Sequence, residues 1–246
     1  MSSHISPREL YGGAIVVALP PDTIDASDLR QIPDHQEVFL RQKTLSSIIF
    51  EINEYQASET VGSAETSAVH TAATNLPIAS SHVPPVDEAA ATYHLKDVIA
   101  EPDYLSPDGV ETVTLKLPRL SVTDFPTYLS AATIITPEID HSAKSTLPVG
   151  WQSDPAQKEY QTKTQQLLVR MKEYGTDFCV RINVPLKEFP QAQSEAALTE
   201  LAVADRMMRN IVESLDIKNF GLFGGGELEV KQEETIQPSG PQPALR

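Results

Sequence analysis

The sequence predicts an α+β fold built on a mainly antiparallel sheet, and three observations carry that prediction. Three short apolar runs lie close together between Ala14 and Ile52. Two further runs flank Gly175 in the manner of a hairpin. A helical period then extends from Ser194 to Leu215. Strands joined by short turns pair antiparallel, because parallel pairs need a crossover of a dozen or so residues.

The first strand is Ala14 to Leu19, entered through Gly12-Gly13 and stopped by Pro20-Pro21. A proline cannot donate to a ladder, so it marks the strand's end. Asp25 to Arg30 follows as one helical turn that Asp25 or Ser27 can cap, ended by Pro33. Glu37 to Leu40 and Ser47 to Ile52 read as two more strands joined by the polar stretch Arg41 to Thr44. From Ala57 to about Val86 the chain is mainly Ala, Ser, Thr, Glu and Pro. So few large apolar side chains do not offset the entropy of ordering, which predicts a disordered insert at about 57–86.

Asp87-Glu88 opens a helix running to Ile99, since early acids complement the helix dipole and Ala, Leu and Lys favour helix. Its predicted buried stripe is Ala91, Leu95, Val98 and Ile99. Val113, Leu115 and Leu117 alternate with Thr112, Thr114 and Lys116, the period of a half-exposed strand, and another strand covers Ala131 to Ile135. Gln165 to Met171 fits helix or strand taken alone. The clean alternation of Phe178, Val180, Ile182 and Val184 with Cys179, Arg181 and Asn183, across Gly175, decides for a hairpin. The helix from Ser194 buries Leu198, Leu201, Met208, Ile211, Val212 and Leu215 against the sheet. The domain expectation is therefore one domain over 1–226 and a disordered acidic tail over 227–246.

The chain has 246 residues and a formal net charge of −15. That charge repels nucleic acid and anionic membrane surfaces, leaving a basic protein surface as the natural complement. No run approaches the roughly 18 to 20 apolar residues of a membrane span, and Met1 to Leu10 lacks the pattern of a secretory signal. The expectation is a soluble intracellular monomer with neither direct nucleic-acid binding nor membrane insertion. The single cysteine, Cys179, lies in a strand-like run and suits a buried structural role.

Chemistry-bearing motifs are weak. No serine or cysteine carries the local signature of an activated nucleophile, which ranks a hydrolase reading lowest. His4, His35, His70, His82, His94 and His141 are scattered, with no spacing of a helical zinc site. Gly224-Gly225-Gly226 lacks the Lys-Ser or Lys-Thr of a phosphate loop and reads as a hinge. No catalytic residue, metal or cofactor is expected. Asp22, Asp25, Asp28, Asp34 and Glu37, by contrast, crowd around proline-limited turns and would concentrate negative potential on one rim of the sheet.

Around those residues the sequence resembles the Ran guanine nucleotide release factor, or Mog, family of nuclear import factors, in its fungal type. The likeness runs through Glu9-Leu10-Tyr11-Gly12-Gly13-Ala14, Leu19-Pro20-Pro21, Ile24 to Arg30 and Pro33-Asp34-His35-Gln36-Glu37-Val38-Phe39. It continues at Tyr93 to Val98, Thr176-Asp177, Arg181 to Leu186 and Phe220 to Phe223. The resemblance implies an antiparallel sheet of about six strands with helices on both faces, a Mog/PsbP-like sandwich. It also implies a non-enzymatic factor that binds the GTPase Ran, promotes release of its guanine nucleotide and is shared between nucleus and cytoplasm. By position, it assigns Ran contact to Asp34 and Glu37, with Asp25, Asp28 and Gln36 in support. The alternative is an acidic adaptor for a transport or membrane-associated protein that releases no nucleotide.

Overall fold

The computed structural model describes residues 5–57, 76–80, 82–120, 124–138 and 159–223. Its elements, in chain order, begin with β1 (Ser6–Leu10), a 3-10 turn at Tyr11–Gly13, β2 (Ile15–Leu19) and β3 (Thr23–Asp25). A second 3-10 turn at Ala26–Asp28 leads to β4 (Gln36–Arg41), β5 (Ser47–Glu54), β6 (Ile78–Ser80) and α1 (Pro85–Asp97). Then come β7 (Tyr104–Leu105), β8 (Glu111–Leu115), β9 (Thr127–Pro137), β10 (Glu159–Met171) and β11 (Thr176–Pro185). The described chain closes with α2 (Glu195–Ser214), β12 (Asp216–Ile217) and a 3-10 turn at Phe220–Leu222.

The expected α+β class is what the chain adopts, with more strands than the six expected. The main sheet runs β3-β4-β5-β11-β10-β9-β8-β6, with β7 pairing to β9, and a smaller sheet runs β1-β2-β12. The hairpin read across Gly175 is its centre: β10 and β11 pair from Met171↔Thr176 to Thr162↔Pro185. Gly175 takes φ +59° there, a left-handed turn that favours glycine.

Helices cover both faces. Ala204, Met207, Met208, Ile211 and Val212 of α2, with Ile15, Val17 and Leu19 of the small sheet, share one core with Phe50, Leu167, Val169, Phe178, Val180 and Ile182. Ala90 and Ala91 of α1 pack on Tyr128 of β9 and on Leu168 and Cys179, which have the opposite parity to the core residues of β10 and β11. Cys179 is fully buried, and burial pushes its thiol well above the usual range.

Three expectations change at the helices and the insert. Leu198 is exposed, and Glu200 is turned inward at 5 % exposure. The reason is a contact across the fold: Glu200 pairs with Arg41 of β4 at 3.3 Å and accepts from the Thr44 hydroxyl at 2.8 Å. Val98 lies past the end of α1 and is exposed, while Ala90, Ala91, His94 and Leu95 form the covered stripe. Within the expected insert, Leu76 is buried, β6 pairs with β8 and Pro85 begins α1, so order starts earlier than composition suggested. Residues 58–75 and 81, the Gly224–Gly226 hinge and the 227–246 tail lie outside the described residues.

Candidate protein-binding rim

The five residues singled out in the sequence fall on the edge of the main sheet formed by β3 and β4. Asp25 pairs opposite Phe39 and Ile24 opposite Leu40, so residues 26–35 connect the end of β3 to the start of β4. Ala26 anchors this connection in the interior. The Asp25 carboxylate accepts from Ser27 N–H at 2.8 Å and caps the turn, which decides between the two candidates Asp25 and Ser27. Further on, Gln36 N–H donates to the Pro33 carbonyl at 2.9 Å, closing a tight turn with Asp34 and His35 at its tip.

Side-chain placement divides the five. Asp28 and Asp34 are exposed. Gln36 and Glu37 are consecutive on β4 and so face opposite sides of the sheet. Gln36 donates its amide to Glu51, on the α1 side. Glu37 is half-buried, and its Oε1 accepts from Tyr11 N–H at 2.7 Å. Neither Glu37 nor Asp34 has a cation of this chain within ion-pairing distance among the described residues, whereas Asp22, part of the same acidic run, pairs with Arg41 at 2.7 Å. Leu29 stands 66 % exposed in the same connection and Ile24 sits exposed on β3, giving the acidic edge apolar contacts as well.

Tyr11 is the member of this region to which sequence reasoning assigned no role. It entered only inside the Glu9 to Ala14 motif, and nothing in its local pattern points across 26 positions to Glu37. Its hydroxyl donates to the His35 carbonyl at 3.2 Å. Burial, reinforced by the Glu37 carboxylate, pushes the phenol well above its usual range.

A second polar cluster lies under α1. Arg170 donates to Asp177 at 3.0 Å, to Asp87 at 2.6 Å and to the Gln56 carbonyl, and its guanidinium lies 4.1 Å from the centre of the Tyr55 ring. His94 Nε2 lies 2.9 Å from Asp177, and Tyr128 donates to Asp87. Beside it, Arg181 pairs with Glu51 and donates to the His94 carbonyl; burial lowers its pKa to about 10. Carboxylate, imidazole and phenol together could do acid and base chemistry, but Arg170 and His94 are only 2 % and 3 % exposed and Asp177 not at all. Each spends its polar atoms on neighbours, the behaviour of a buried structural network.

The family model described as "Ran-interacting Mog1 protein" matches residues 8–185. The chain is 25% identical over 236 residues to the probable ran guanine nucleotide release factor of Dictyostelium discoideum, spanning 91% of this chain and 98% of that protein. It is 27% identical over 223 residues to the Ran guanine nucleotide release factor of Danio rerio, spanning 88% and 99%. Among solved structures it is similar to the Saccharomyces cerevisiae Ran-binding protein Mog1p, at a TM-score of 0.48 and 19% identity, over 91% of this chain and all of that one.

Proposed function

The chain belongs to the Ran-interacting Mog1 protein family, and from that premise we propose that it binds the small GTPase Ran through the β3–β4 rim and promotes release of the bound guanine nucleotide, in support of nuclear protein import. Relatives named as Ran guanine nucleotide release factors, matched over nearly their whole length, support the activity. The placement of exposed Asp34 and half-buried Glu37 on one edge, beside Asp25 and Asp28, is the observation that carries the site. The protein acts by binding, as a monomer and without cofactor, in both nucleus and cytoplasm.

The mechanism needs no covalent step. Carboxylates held on a rigid edge accept charge-assisted hydrogen bonds from Lys or Arg of the GTPase. The cap at Asp25 and the turn at Pro33 fix that edge before contact, so little ordering entropy is lost on binding. Binding of the factor and of nucleotide to one GTPase is reciprocal: preference for the empty form weakens nucleotide by the same ratio. Each tenfold weakening requires about 1.4 kcal/mol of preferential binding, within reach of a few desolvated charge pairs. Exposed Leu29 supplies apolar area that charge alone lacks.

The test is release of a labelled guanine nucleotide from Ran. The protein should accelerate release, and Asp34→Lys combined with Glu37→Lys should abolish both acceleration and binding while the circular dichroism spectrum stays native. Binding without acceleration would return the adaptor reading. Unchanged binding by the doubly reversed protein would remove this rim as the contact.

A further inference from the structure

We infer that Tyr11 is a positioning residue of the docking rim, setting where Glu37 and the Pro33–Gln36 turn stand when the partner arrives; the inference rests on the Ran-docking reading above. Tyr11 has φ +50° and is followed by Gly12 at +65° and Gly13 at +91°. Glycine accepts such angles freely. A bulky aromatic residue rarely does, and persists there only when its surroundings over-determine it.

Three contacts supply that determination. The ring packs against the main core. The backbone N–H, redirected by the left-handed turn, reaches Glu37 Oε1 at 2.7 Å. The hydroxyl reaches the His35 carbonyl at 3.2 Å, the same carbonyl that accepts Ile52 N–H at 3.0 Å. The two polar contacts thus grip the chain at His35 and Glu37, on either side of Gln36. They also join the small sheet, through β1 and β2, to the acidic edge of the large one. Glu37 consequently has two roles: it carries charge, and one of its oxygens accepts the Tyr11 N–H. A glutamine there would keep the acceptor and lose the charge, which allows the roles to be separated.

The experiment measures Ran affinity by titration calorimetry for Asp34→Asn, Tyr11→Phe, Glu37→Gln, Glu37→Ala and the double variant Tyr11→Phe with Glu37→Ala. Melting temperature and hydrogen exchange at the Tyr11 amide are followed in parallel. Tyr11→Phe removes only the hydroxyl and is expected to weaken binding about threefold to tenfold, the range of one hydrogen bond, with the melting temperature unchanged. That loss should shrink in the Glu37→Ala background, because both changes release the same turn and coupled sites are not additive. The Tyr11 amide should stay protected in Glu37→Gln and exchange rapidly in Glu37→Ala. Should Tyr11→Phe fold poorly, Gly13→Ala strains the same turn through its backbone and should give the same loss of affinity.

Wild-type affinity for Tyr11→Phe or Gly13→Ala, with Asp34→Asn weakened, overturns the positioning role and leaves the rim intact. Full additivity of Tyr11→Phe with Glu37→Ala overturns it as well. Unchanged affinity for Asp34→Asn removes the rim itself, and the positioning role falls with it.

Discussion

Beneath α2 the central strands present Phe50, Leu167, Val169, Phe178, Val180 and Ile182, all fully buried. The alternate positions of the same strands, beneath α1, include Glu51, Gln166, Arg170, Asp177 and Arg181 around the apolar pair Leu168 and Cys179, and these are buried too. One sheet therefore carries two interiors of different chemistry. Apolar burial is non-directional and scales with area, so the α2 side depends on volume. A buried charge is stabilised only by partners placed at hydrogen-bonding distance, so the α1 side depends on geometry.

The largest expected effect tests that dependence directly. Arg170→Ala leaves Asp177 and Asp87 without their shared cation and should cost about 3–5 kcal/mol in urea denaturation. A loss of under about 1 kcal/mol would mean that the carboxylates find other partners, and the contrast between the faces would fail. Conservative exchanges sharpen it. Arg170→Lys keeps charge but cannot reach Asp177, Asp87 and the Gln56 carbonyl together, and should cost about 1.5–3 kcal/mol. Met208→Leu, on the α2 side, keeps volume and should cost less than about 1.5 kcal/mol. Equal losses from these two would erase the distinction.

The smallest effect belongs to a surface pair. At Asp216 of β12, Lys218 at 2.6 Å and Arg119 at 2.9 Å hold the carboxyl below the usual carboxylate range. A depressed folded value stabilises the protein above the unfolded carboxyl's pKa of about 3.9, and that contribution is lost as pH falls through the folded value. Asp216→Asn should therefore lower stability at pH 7 by no more than about 1 kcal/mol. Thermal melts should show the gap closing below about pH 4; a gap that persisted in acid would assign the loss to something other than charge.

Much of the fold was legible because its signals are local. The alternation around Gly175 identified the hairpin, Asp25 is one of the two residues expected to cap its turn, and the Pro33 turn placed Asp34 at an exposed tip. The errors fall where a long-range contact decides the outcome. Position 200 lies one turn before Ala204 on the buried stripe of α2 while Leu198 points outward, and Arg41 and Thr44, distant in sequence, supply the partners that let a glutamate stay there. The composition of the insert hid β6, whose ladder partner β8 lies beyond the intervening helix.

What the sequence determined by itself was the presence of two-faced strands, the positions of their turns, and an acidic, proline-bounded rim. All of these follow from backbone preferences and hydrophobic period, which act between near neighbours. Only the tertiary structure decided that the polar face of the sheet is covered rather than wet, and that Tyr11 and Glu37 hold each other. An alternating pattern states that two faces differ without stating what lies against either. The worth of a buried ion pair or a long-range hydrogen bond depends on ångström-scale placement, which chain folding alone supplies.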